Sequence, residues 1–280
     1  MIRFAILGLL LVAACGDNSN NNGDGGTGGD DDGGMCTGLC TDAPPFGGMC
    51  DPQSSIACAN CVDDDGDGDI DGDDIHCSGP LDDDEASFGT GIPGDNIDAV
   101  KQDCFFDGNS GGGNDGCDIH VCCILGAQTV AECPIGANRY KPMDCPPPLG
   151  TKPLSQKCID NCGAITPPGC DCFGCCTICD PANPSMCYDI ATNPATSPNC
   201  TADDLGDPTK CLRCTKSTGC GPTECGGQTC ILCPGQDPDS LPPGCNGTQV
   251  CPIGTTTCDA NMACPANTYC SNGCCIGVIL

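Results

Sequence analysis

Between Cys61 and Cys77 the chain reads CVDDDGDGDIDGDDIHC, eight aspartates with no lysine or arginine among them. Two unit charges about 5 Å apart repel by roughly 0.8 kcal/mol even in water, and a cluster sums many such pairs. The segment must therefore stay extended or hold a cation, and its spacing favours the cation. Asp63, Asp65 and Asp67 occupy the first, third and fifth positions of a D-x-D-x-D-G run, and Gly68 supplies the sharp turn at the sixth. On this pattern Asp69 offers its backbone carbonyl, Asp71 a ninth-position carboxylate and Asp74 the twelfth-position carboxylate that closes the shell. Ile70, at the eighth position, is expected to pack against a neighbour. The plainer alternative is an acidic, solvated linker, against which Ile70, Ile75 and the bracketing cysteines argue.

The run DDDGDGDIDGDD resembles the calcium loops of the EF-hand superfamily, and more closely those of dockerin modules and thrombospondin type 3 repeats, which also accept Asp at the last position. The resemblance implies Ca²⁺ as the bound ion, with Mg²⁺ as the alternative, and it covers 12 of 280 residues. The flanks CANCV and IHCSGP are short, cysteine-bearing and poor in helix formers, so a disulfide-held loop is expected rather than a helix-loop-helix. Asp74 is one methylene shorter than the Glu usual at that position, which weakens bidentate closure. A second set of oxygens, Asp107, Asn109, Asn114 and Asp115, lies on the glycine-rich FFDGNSGGGNDGC and is expected either to complete a further cation site or to form a polar turn.

Sulfur dominates the rest of the chemistry. There are 35 cysteines, and if Cys15 is set aside the remaining 34 allow up to 17 disulfides. The C-x-x-C pairs Cys172 with Cys175, Cys176 with Cys179, Cys211 with Cys214 and Cys230 with Cys233 would read as zinc or iron-sulfur ligands in a cytosolic chain. In an exported chain of this cysteine density they read as disulfides. The vicinal pairs Cys122-Cys123, Cys175-Cys176 and Cys274-Cys275 should each send their two members to different partners, because bridging adjacent cysteines closes a strained ring. With only His76 and His120, no H-E-x-x-H, no G-x-S-x-G and no Walker pattern, histidine-based catalysis is not expected and the chain reads as a non-enzyme. A thiol-based zinc or copper handling protein, and a secreted hydrolase with an acidic site, are the competing readings.

Export itself is read from MIRFAILGLLLVAAC, in which one basic residue and an apolar run precede small residues and a cysteine. The ending Val12-Ala13-Ala14-Cys15 resembles the lipobox of bacterial lipoproteins, which implies cleavage before Cys15, acylation of its thiol and a membrane anchor without a transmembrane helix. Residues 15–35 then form the lipidated cysteine and a Gly/Asn/Asp tether with a reach of roughly 25 Å.

The elements that position these groups must come from a chain with little apolar material. There is no tryptophan, and Gly and Pro together number 66. The expected fold class is small, disulfide-rich and mostly irregular, with short strands, one or two short helices, several modules and no large hydrophobic core. Residues 36–126 form an acidic calcium-binding module, 127–244 a Cys/Pro-rich disulfide module, and 245–280 a knot-like module similar to small extracellular knots and EGF-like units. Within the first, GDNIDAVKQDC reads as a short helix with Asp95 as N-cap. From Cys15 to Ser110 there are 23 acidic residues against Lys101 alone, whereas residues 111–280 carry 15 against 7. That excess argues against nucleic-acid partners and leaves the membrane, through the lipid, and a protein or glycan as the expected ones. Across its length the chain also resembles cysteine-rich surface lipoproteins of large-genome Gram-negative gliding bacteria, through GPLDDDE, GIPGDN, KQDCFFDGNSG and CDCFGCCTIC, which implies an outer-membrane or cell-surface location.

Overall fold

The structure is a computed structural model that describes residues 54–71, 74–77, 82–89, 100–103, 116–137, 139–192, 197–220, 225, 230–236, 238–245, 247–251, 254–258, 264, 265 and 268–277. The chain divides into two compact units, Met1–Asp32 and Gly33–Leu280, and every described residue belongs to the second. Cys15, the tether, Asp107, Asn109, Asn114 and Asp115 lie outside the described residues.

The fold is small, disulfide-rich and mostly irregular. Its strands are β1 (Lys101–Gln102), β2 (Ile119–His120), β3 (Cys175–Asp180), β4 (Asn183–Ala191), β5 (Thr268–Ser271) and β6 (Cys274–Gly277), and its α-helices are α1 (Val121–Ile124) and α2 (Gln156–Ile165). The strands pair as three separate antiparallel two-stranded sheets, β1 with β2, β3 with β4 and β5 with β6.

Each element follows from its local sequence. In β3 the residues CCTICD combine β-branched Thr177 and Ile178 with buried cysteines, and Ile178 pairs across the sheet with Tyr188. The β5–β6 hairpin turns on Asn272-Gly273, both at positive φ (46° and 73°), the residue pair that a two-residue hairpin loop favours. Helix α2 starts where the Ser155 side chain accepts the Cys158 N–H at 3.0 Å. It ends at Thr166, which precedes Pro167 and is pushed toward extended backbone, with ψ 124°. Lys101–Gln102, at the end of the segment expected to be helical, is instead a strand: Lys101 pairs with His120 and Gln102 with Ile119, burying Gln102 while Lys101 stays exposed. That two-residue alternation fits the pleat of a strand better than a helical stripe.

Sulfur holds these pieces together. The vicinal cysteines diverge: Cys122 bonds Cys133 and Cys123 bonds Cys145, Cys175 bonds Cys214 and Cys176 bonds Cys170, Cys274 bonds Cys251 and Cys275 bonds Cys264. No C-x-x-C pair closes on itself. Cys179 bonds Cys187, opposite it on β4, and the remaining members reach Cys200, Cys225 and Cys245. Cys172 carries a thiol. The reason is local: β3 is extended, so its successive cysteines face opposite ways and reach other segments. Cys230–Cys245 ties the last seven cysteines of the chain to the preceding segment, as their odd number requires.

The core is a set of small clusters with cystine at their centres. Phe88, Ile178, Ile190 and Leu205 gather around Cys170–Cys176 and Cys200–Cys211. Tyr140, Val121 and Ala127 gather around Cys122–Cys133 and Cys123–Cys145. Between clusters, polar groups take over. Asp171, 1 % exposed, accepts the N–H groups of Phe173 and Cys175 on one oxygen and that of Ser217 on the other, at 2.9, 2.9 and 2.7 Å.

Burial pushes Asp171 up to about 6, against the opposing pull of those N–H groups and Lys216. A carboxyl raised in the folded state binds its proton more tightly there than in the unfolded chain, so stability falls as pH rises between the ordinary value of 3.8 and about 6. The expected loss is on the order of 3 kcal/mol. Guanidinium unfolding in EDTA between pH 4.5 and 7.5 should show this slope, and Asp171→Asn should remove it. An unchanged slope in the variant would show that Asp171 does not titrate in that window.

Candidate metal centre

The aspartate loop is built by carboxylates that grip its backbone. Asp63 accepts from Gly66 and Gly68 at 2.6 and 3.2 Å, Asp65 from Asp67 at 3.0 Å and Asp67 from Asp69 at 2.9 Å. This succession of Asx turns follows from short acidic side chains two residues apart, each reaching an N–H further along. Gly68 at φ 110° and Gly66 at φ 83° supply the left-handed turns that other residues resist.

Two buried carboxylates fasten the loop to the body. Asp71 accepts the N–H groups of Asn60 and Cys61, both at 2.9 Å. Glu85, 2 % exposed, accepts Asp64 N–H on one oxygen and Asp71 N–H on the other, both at 2.6 Å, and so ties the start of the loop to its end. Burial raises the Glu85 pKa, the two N–H bonds oppose it, and the charges of Asp74 and Asp71 add to the rise. The disulfide at this place is Cys58–Cys77, and Cys61 is itself disulfide-bonded. Cys61 and Cys77 thus hold the loop without bonding each other.

Of the six expected ligand residues, the structure gathers three. Asp65, Asp67 and Asp74, with His76, place a ligand atom each within 4.8 Å of one another. Asp63 and Asp71 lie outside this group and spend their oxygens on backbone N–H groups. Asp69 stands in the exposed stretch, its amide donating to Asp67. Ile70 does not pack as expected and is 43 % exposed. Ile75 performs that role, in the cluster of Phe88 and Ile178, with its Cδ1 where a Cβ on Gly235 would meet it at 2.6 Å.

Asp74 is the centre of the arrangement. Its Oδ1 accepts the His76 N–H at 2.6 Å, and its buried Oδ2 has no hydrogen-bond partner. A buried acceptor left unpaired costs about 1–3 kcal/mol, more when charged, and the Asp74 carboxylate stands in one group with those of Asp65 and Asp67. Burial, then the charges of Asp67 and Asp74, raise the pKa of Asp65. A cation placed among these oxygens relieves both the orphaned oxygen and the repulsion.

His76 bears on which kind of cation the group would suit. Its Nε2 accepts the Ala202 N–H at 3.0 Å, which assigns the ring proton to Nδ1, 3.0 Å from Asp74 Oδ1. Nδ1 therefore faces the cluster as N–H and has no lone pair to give a metal. Burial disfavours charge on the ring, while Asp74, Asp65 and Asp67 more than offset it and raise its pKa. Charging the ring costs the Ala202 bond. The ring also rests on Phe88, at 4.9 Å between centroids. With imidazole withdrawn, the donor set is oxygen alone, which suits Ca²⁺ or Mg²⁺ over the metals that take nitrogen and sulfur. The sequence places Glu85 and His76 near the loop as further candidate donors, but their roles as backbone acceptors carry no local signal, since the contacts reach 21 and 126 residues along the chain.

Compared with known proteins, the chain matches no family model, no curated protein and no solved structure.

Asp74→Asn separates a metal centre from a merely acidic loop. The amide keeps an oxygen for His76 N–H and removes one negative charge from the group with Asp65 and Asp67, so the variant should unfold at higher temperature than the parent in EDTA. In millimolar calcium the order should reverse. A variant less stable than the parent in both media would show that Asp74 only supports the loop.

Proposed function

We propose that this chain is an extracytoplasmic lipoprotein, held to a membrane through Cys15 and folded around disulfides and one calcium ion, whose task is to present an interaction surface to a protein or glycan partner. The observation that carries the calcium part is the buried Asp74 carboxylate, one oxygen of it unpartnered, standing in one group with Asp65 and Asp67. Extracellular calcium modules work at about 0.1 to 1 mM, an affinity a site with few fixed carboxylates can reach. The signal-like N-terminus, the lipobox resemblance and a framework rich in disulfides support the compartment. Among the described residues no helix is long and apolar enough to cross a membrane.

Calorimetry with calcium up to millimolar concentration should show one site, and Asp65→Ala with Asp67→Ala should abolish it. Absence of binding in the parent, or binding intact in the double variant, removes the calcium assignment. In the native producer, Cys15→Ser should release the chain from the membrane fraction.

The thiol-based reading draws on Cys172 and Cys220, both thiols, fully buried, with Cys172 N–H donating to Cys220 Sγ at 3.0 Å. Burial, then its contacts with Cys220, pushes the Cys172 thiol far above its ordinary range. A metal-handling thiol needs access and thiolate character; both residues lack access, and Cys172 also lacks thiolate character. Alkylation without reductant should therefore label Cys172 and Cys220 only after unfolding, as read by peptide mass. Labelling of the native protein at either residue would favour metal handling.

A further inference from the structure

Among the described residues one cavity collects basic side chains, in a chain of net charge -29. Its volume is about 420 Å³, and four of the chain's nine Lys and Arg residues line it: Lys101, Arg139, Lys141 and Lys152. Two acids, Asp118 and Asp144, share the wall. Lys101 is paired with Asp118. Among the described residues, Arg139, Lys141 and Lys152 have no carboxylate partner, whereas Lys210 and Lys216 elsewhere are paired with Asp204 and Asp189.

The cavity is positioned by rigid parts of the fold. β1 and β2 supply one side, the turns around Cys145 another, and the start of α2 a third. Cys123–Cys145 and Cys117–Cys158 fix these segments to one another. Ile119 and Leu154 give the lining an apolar part. His120 is held through both nitrogens: its Nδ1 accepts Cys122 N–H at 3.2 Å and its Nε2 faces the Gly136 carbonyl at 3.2 Å.

We propose that this cavity binds a small organic dianion, a phosphate monoester, with the oxyanion on Arg139, Lys141 and Lys152 and its organic part against Ile119 and Leu154. Charge and size carry the choice. Four basic groups against two acids leave the cavity at net +2, which a phosphomonoester at about −1.5 to −2 matches and a sulfate ester half-satisfies. The volume falls in the range of small-molecule sites, about 300–1,000 Å³, and exceeds what bare phosphate fills. Arg139 brings a planar fork suited to two oxyanion oxygens, and Lys141 and Lys152 add point charges. The strongly negative remainder of the protein disfavours casual adsorption of an anion elsewhere.

The full-length chain with its disulfides intact is titrated, without calcium, with phenyl phosphate, phenyl sulfate, inorganic phosphate and phenol, by calorimetry and by amide chemical-shift mapping. Phenyl phosphate should bind most tightly, with shifts at Ile119, Leu154 and the lysine-bearing turns. Arg139→Gln and Lys152→Gln should each weaken it about tenfold, one lost charge-assisted contact being worth about 1.4 kcal/mol or more. Lys157→Gln, an exposed lysine on α2 outside the cavity, should leave it unchanged. All three side chains are exposed, and unchanged amide spectra away from the cavity confirm folding. No saturable binding of phenyl phosphate, equal loss in Lys157→Gln, or phenol binding as well as phenyl phosphate would each overturn the proposal.

Discussion

Ordering a backbone costs about 1–2 kcal/mol per residue, and most domains offset it by burying apolar side chains. This chain cannot do so on the usual scale, with no tryptophan and 66 Gly and Pro residues. The constraint that everything else depends on is therefore covalent. Among the described residues disulfides close loops from 6 to 41 residues apart, each contributing about 2 to 4 kcal/mol by restricting the unfolded chain, though not additively. Where apolar side chains are buried, they gather around cystines. Tyr140 is enclosed in the cluster that Cys122, Cys123, Cys133 and Cys145 make.

A scaffold of that kind has few ladders, so most backbone N–H groups need partners that regular structure would otherwise supply. Buried carboxylates take that place. Asp71 receives two N–H groups, Glu85 two and Asp171 three. The same residue type thus serves two opposed ends. A carboxylate whose oxygens are filled by N–H groups organises a loop, and one with an oxygen left over, as Asp74 has, is available to a cation. Separating the two cases requires the hydrogen bonds, and the residue names alone do not separate them.

That distinction marks how far the sequence could be read. The class of fold was legible because cysteine count and lack of apolar residues leave few alternatives. The sharp turn at Gly68 and the divergence of vicinal cysteines were legible because both follow from local stereochemistry. Cystine partners were not, since Cys175 reaches Cys214 and Cys117 reaches Cys158 across segments with no local signal. Of the expected aspartates, Asp65, Asp67 and Asp74 stand together while Asp63 and Asp71 went to the backbone, because the i, i+2 spacing that suits a cation also suits Asx turns. Ile70 and Ile75 exchanged roles for a related reason: a loop without flanking helices packs through the residue nearest its disulfide, and Ile75 stands two residues before Cys77.

Charge is distributed on this scaffold by the same logic. A large apolar core would screen nothing, and a chain of net charge -29 with small cores must keep its repulsion local or neutralise it. Glu85 anchors the aspartate loop at Asp64 and Asp71, which keeps the exposed Asp64, Asp65, Asp67 and Asp69 on one turn. Two groups of basic residues stand out. Lys210 and Lys216 are paired with acids, and Arg213 lies over the Tyr188 ring at 4.4 Å while donating to the Leu205 carbonyl. Arg139, Lys141 and Lys152, which have the whole acidic chain to choose from, instead stand together around one cavity. Scarce cations left beside one another repel, and in a protein with so many carboxylates available that arrangement is stable only where the crosslinks, and not the charges, decide which segments meet.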